Sequence, residues 1–111
     1  MDAKRDNSPR AVVTFGAAAN SWVKSADVRK ILLAAVDNAK APIMLIHAAN
    51  DYDTTPGRDL AAELERLGKS HVLKIYPAVG KTSDEGHNFV YSSVPLWETD
   101  VFKFLDHDIR P

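Results

Sequence analysis

Residues 42–56, PIMLIHAANDYDTTP, constrain this chain more than any other stretch. An apolar run follows Pro42 with almost no polar interruption and stops at Asn50 and Asp51. Because the run has no polar side to turn towards water, it reads as a strand buried on both faces, the habit of a parallel sheet. The Asn/Asp/Thr cluster behind it ends the strand and opens a loop. Carboxylates therefore sit just past the C-terminal end of a buried strand, the edge where open α/β sheets collect binding and chemistry.

The flanking segments complete the pattern. Residues 11–15 (AVVTF) read as a short strand stopped by Gly16, followed by a loop of small residues that ends at Ser21 and Trp22. Ser25 or Asp27 can cap a helix in which Val28, Ile31, Leu32, Ala35 and Val36 recur at helical spacing. After the central strand, Thr54 or Thr55 caps a second helix with Pro56 in its first turn; Leu60, Ala61, Leu64 and Leu67 form its apolar face, and Gly68 ends it. Residues 70–76 alternate up to Pro77 and form a third strand. Residues 79–89 read as a Gly-punctuated loop carrying His87, and from Val94 a last amphipathic helix runs to about His107. This βαβαβα order implies an α/β fold, a three-stranded parallel sheet with flanking helices and right-handed crossovers. Residues 1–10 form a polar lead-in and residues 11–111 a single domain.

Composition removes several classes of function. A formal net charge of -1 gives no electrostatic case for nucleic acid or an anionic membrane surface. The absence of cysteine excludes a disulfide framework, a thiol nucleophile and a thiolate metal site, and agrees with a reducing compartment. No apolar run approaches the roughly 18 residues of a membrane span, and the polar start leads into no signal-peptide core, so a cytoplasmic protein is expected. Asp51, Asp53 and His87 could hold a hard or borderline ion. Nothing in their spacing requires one, and no cofactor is expected.

An acid after one strand and a histidine after the next follow the tail of a nucleophile, acid, base order. With the 11–16 strand, the PIMLIHAAND strand and turn, and Gly86-His87-Asn88-Phe89, the chain resembles the C-terminal half of an α/β-hydrolase, dienelactone hydrolase branch. The resemblance runs from Ala11 onward and implies a partial α/β-hydrolase fold with Asp51 as the acid and His87 as the base. It departs in two places. Ala48 stands where the family usually has Gly, and none of the seven serines lies in a G-x-S-x-G elbow. Ser21, at the end of the loop after the first strand, is the first candidate for a replacement nucleophile, ahead of Ser83, Ser92 and Ser93. Trp22, Asn88 and Phe89 are the candidate substrate contacts.

Each of these residues also has a plainer reading. Asp51 could simply cap a turn, with Asp53 taking its place as the acid. His47 reads as a satisfied core or pocket-wall residue, and His71 and His107 as solvent-facing. The implied function is a weak, promiscuous carboxylic-ester hydrolase acting on small esters with an Asp-His pair. The alternative is a catalytically silent module, and a small-molecule binding protein is a third reading. The first strand would lose its neighbour with the missing half, so its unpaired edge is expected to make a homodimer.

Overall fold

The computed structural model describes residues 11–109, with side chains as far as residue 106. The lead-in over residues 1–10 and the side chain of His107 lie outside the described residues. The elements are β1 (Val12–Phe15), α1 (Ala26–Asn38), β2 (Ile43–Ala48), α2 (Thr55–Arg66), β3 (His71–Tyr76), α3 (Ser83–His87), α4 (Phe89–Ser92) and α5 (Val94–Ile109). Both strand pairs are parallel and β2 lies in the middle, with Val12 opposite Ile43 and Ile43 opposite His71. The expected three-stranded α/β sheet is what the chain forms.

All six residues of β2 are buried, and the strand's period of two divides them between two cores. Ile43 and Leu45 join Trp22, Val36, Leu60 and Leu64 on the side covered by α1 and α2. Met44, Ile46 and Ala48 join Tyr76, Phe89, Val101 and Phe104 on the side covered by α4 and α5. His47 has the parity of Ile43 and Leu45, so it faces α2.

The helix ends account for their backbone groups by local means. The Ser25 hydroxyl accepts from the Val28 N–H at 3.1 Å and caps α1. At the end of α2, Gly68 takes a φ of +67°, and the Lys69 and Gly68 N–H groups return to the carbonyls of Leu64 and Glu65 in a Schellman arrangement. The start of α2 departs from expectation, since Thr54 stands at the cap position without accepting from a backbone N–H of the helix; its hydroxyl accepts from Arg58 Nε at 3.4 Å instead. Asp53 accepts from the Thr55 N–H at 2.9 Å, Pro56 has no N–H, and the Gly57 N–H donates to His47 Nε2 at 3.1 Å. A histidine on the neighbouring strand thus does part of the cap's work.

The expected loop over residues 79–89 is corrected by the structure. Thr82 accepts from the Glu85 N–H at 3.1 Å while Glu85 accepts from the Thr82 N–H at 3.0 Å, a capping box that starts α3. His87 is therefore the last residue of a short helix. His71 is half-buried, with Nδ1 2.8 Å from the Lys69 carbonyl.

Candidate active site

Asp51 enters the site through a tight turn after β2, its N–H donating to the Ala48 carbonyl at 3.0 Å while the Ala49 N–H reaches Tyr76 on β3 at 2.7 Å. Its side chain is 1% exposed. A carboxylate so deeply buried needs donors, because an unpartnered charge in a protein interior is costly. Three converge on it. Oδ1 accepts from the Tyr52 N–H at 2.7 Å and lies 2.8 Å from His87 Nδ1; Oδ2 lies 2.9 Å from His47 Nδ1.

The Asn50 amide carries His87 to this point. Its Nδ2 donates to the carbonyls of Val79 at 2.7 Å and Thr82 at 2.9 Å, and its Oδ1 accepts from the Val79 N–H at 2.9 Å. These bonds join the turn after β2 to the segment leading into α3. Gly86 packs against the same clamp, where an added Cβ would stand 2.5 Å from Asn50 Oδ1. Glu85 holds the start of α3, and the N–H groups of Lys81 and then Thr82 pull its carboxyl below the ordinary value.

Gly16, with φ at +64°, closes the third side. A Cβ there would meet His87 Nδ1 at 2.8 Å and Asp51 Oδ2 at 2.9 Å, so both the backbone conformation and the space require glycine.

The hydrogen bonds fix the protons. A backbone N–H can only donate, so Nε2 of His47 must accept from Gly57, and the proton of neutral His47 sits on Nδ1, pointing at Asp51. Asp51, accepting on both oxygens, orients His87 with its Nδ1 proton inward. That leaves Nε2 of His87 as a lone pair with no hydrogen-bond partner among the described residues, on a side chain 29% exposed. An imidazole held in this way can take a proton from water or a hydroxyl and pass it on, with Asp51 stabilising the cation that forms.

Asp53 serves the Thr55 N–H. Among the described residues no hydrogen bond joins Ser21, Ser83, Ser92 or Ser93 to His87; Ser21 lies in the turn before α1, and Ser92 and Ser93 face each other at 3.3 Å. Trp22 is 3% exposed and donates from Nε1 to Asp59 at 3.1 Å, and Phe89 is 1% exposed in the opposite core. Both rings pack inside the protein. Asn88 is exposed and donates to the Asp84 carbonyl at 2.9 Å. Tyr52 was not anticipated; its ring lies 5.4 Å from that of His87 and also walls an open cleft of about 450 Å³ shared with Ala19, Asn20, Val23 and Thr55. Among the described residues no group of three His, Asp or Glu side chains is disposed to hold a metal ion. No helix among them is long and apolar enough to cross a membrane.

The chain matches no protein family, no curated protein and no solved structure.

Proposed function

We propose that the chain is a weak, promiscuous carboxylic-ester hydrolase of the esterase or dienelactone hydrolase kind that works through an Asp-His pair without the usual serine nucleophile. The observation that carries this reading is the 2.8 Å contact between His87 Nδ1 and a buried Asp51, which leaves Nε2 without a hydrogen-bond partner among the described residues on a side chain 29% exposed. In this reading His87 Nε2 removes a proton from a water molecule as its oxygen bonds to the ester carbonyl carbon. The imidazolium then returns the proton to the departing alkoxide as the carbon–oxygen bond breaks, giving acid and alcohol. Asp51 keeps the tautomer and balances the transient charge. The cleft beside Tyr52 supports a place for the substrate's acyl or alcohol group.

General-base assistance is worth about a hundred- to ten-thousand-fold. Slow hydrolysis of activated short-chain esters is therefore the expected activity, by water or by a hydroxyl supplied from another chain. Hydrolysis of p-nitrophenyl acetate by the wild type and by His87→Ala tests the reading; equal rates would defeat it.

Self-association belongs to the same proposal. The edge of β1 away from β2 pairs with no strand among the described residues, Val12, Val13 and Phe15 put no charge on it, and Leu96 and Phe102 of α5 are exposed. These features support a homodimer paired through β1. The lack of cysteine supports a cytoplasmic setting.

A further inference from the structure

Among the described residues, His47 is the buried titratable side chain at the site that the proposed chemistry leaves unused. It is 1% exposed and spans the gap between the first turn of α2 and the inner oxygen of Asp51. One ring nitrogen faces a donor that cannot become an acceptor, and the other faces a carboxylate. Protonating Nε2 would set an N–H against the Gly57 N–H, so the geometry keeps Nε2 as the acceptor and the ring proton on Nδ1. The space around the ring is equally fixed, because a Cβ on Gly57 would lie 2.5 Å from His47 Cδ2.

We propose that His47 is a positioning residue that links the start of α2 to the Asp51 and His87 pair. Held as the Nδ1–H tautomer by the Gly57 N–H, it fixes the Asp51 carboxylate and moderates its pull on the His87 proton. The helix end contributes through the ring. A backbone N–H on Nε2 draws electron density from the imidazole and makes Nδ1–H a better donor, and that donor disperses charge on Oδ2. Asp51 with three donors is a weaker base than Asp51 with two, so the pair releases its proton more readily than it would without His47.

The charged and titratable groups around the pair are few. β2 presents His47, and the turn behind it presents Asp51 and Tyr52. Gly16 at the end of β1 and Gly57 on α2 offer only backbone. On α3, Asp84 is exposed and Glu85 is engaged by the N–H groups of Lys81 and Thr82.

The role of His47 in catalysis rests on the reading of His87 as a base, but the hydrogen-bond chain can be read without turnover. The experiment follows the imidazole nitrogens by NMR from about pH 5 to pH 9, the span in which histidines change charge, in the wild type, His47→Asn and His47→Leu. Asn can present an N–H near the position of Nδ1; Leu cannot. In His47→Leu the apparent pKa of the His87 titration should rise by about half a unit or more, as Asp51 loses a donor. In His47→Asn it should stay close to that of the wild type. Equal titrations in all three proteins, or equal shifts in both variants, would overturn the proposal. Should His47→Leu fail to fold, the wild-type spectrum decides: His47 must keep a protonated Nδ1 and a bare Nε2 while His87 titrates, and a His47 that titrates alongside it overturns the assignment. Inert wild-type protein with these spectral results would defeat the esterase reading and leave the role of His47 intact.

Discussion

Replacing Gly16 by alanine should break the site and leave the sheet standing, and Gly68 provides the control that makes the cost interpretable. Both glycines hold a left-handed backbone, at φ +64° and +67°. Alanine in that conformation costs about 1–2 kcal/mol. At Gly68 nothing lies within 4 Å of the added Cβ, so the backbone term should be the whole effect. At Gly16 the Cβ would stand 2.8 Å from His87 Nδ1 and 2.9 Å from both Asp51 Oδ2 and His87 Cε1, closer than such contacts occur. The imidazole must move, and a hydrogen bond to a charged partner is worth about 1.5–3 kcal/mol. Gly16→Ala should therefore exceed Gly68→Ala by roughly that amount in urea denaturation, and should lose the NMR signature of a hydrogen-bonded His87 Nδ1–H that Gly68→Ala retains. Equal destabilisation of the two variants, with the His87 signal unchanged, would refute the packing argument at the site.

Three further outcomes follow from other parts of the fold. Thr82→Ala removes the cap of α3 and should cost about 1 kcal/mol; because the Glu85 carboxyl is held below its ordinary value, the cap should also weaken in wild type as acid protonates it, and a Thr82→Ala stability unchanged in urea denaturation would contradict this. Burial, with the 2.5 Å bond to Asp100 added, raises the Tyr76 phenol well above its ordinary value, so its contribution is complete below about pH 10, where the unfolded phenol ionises, and fades above it. Urea midpoints should fall more steeply above that pH in wild type than in Tyr76→Phe, and matching slopes would contradict the assignment. Light scattering after size exclusion should show a species near twice the 12.2 kDa chain, and a monodisperse species at the chain mass would exclude pairing through β1.

The fold was largely legible because its signals are local. An uninterrupted apolar run, a glycine at a helix end and helical spacing in three segments each report on a few neighbouring residues. The site was legible only in part. Asp51 and His87 could be placed from strand order, since each follows a strand at the same sheet edge. The role of His47 could not, because within a wholly buried strand the hydrophobic pattern does not mark which face a residue takes. Its partner Gly57 lies ten residues away, across a turn and the start of a helix. The Asn50 clamp is hidden for the same reason, as it joins segments 29 and 32 residues apart. Trp22 and Phe89 show the opposite error: both stand beside site residues in the sequence, yet their rings turn into the two cores. The start of α3 was missed: Thr82 and Glu85 have capping-box spacing, but a helix of five residues lacks the periodicity that would mark it.

If Asp51 and His87 act as one base, a double-mutant cycle on p-nitrophenyl acetate hydrolysis should show their coupling. Rates are compared for wild type, Asp51→Asn, His87→Ala and the double variant after subtraction of the uncatalysed reaction. Groups that work as a unit are strongly non-additive. Either substitution alone should remove nearly all of the catalysed rate and the second should add little, the signature of one coupled base. Losses that multiply independently, or a wild-type rate no faster than that of the double variant, would contradict it.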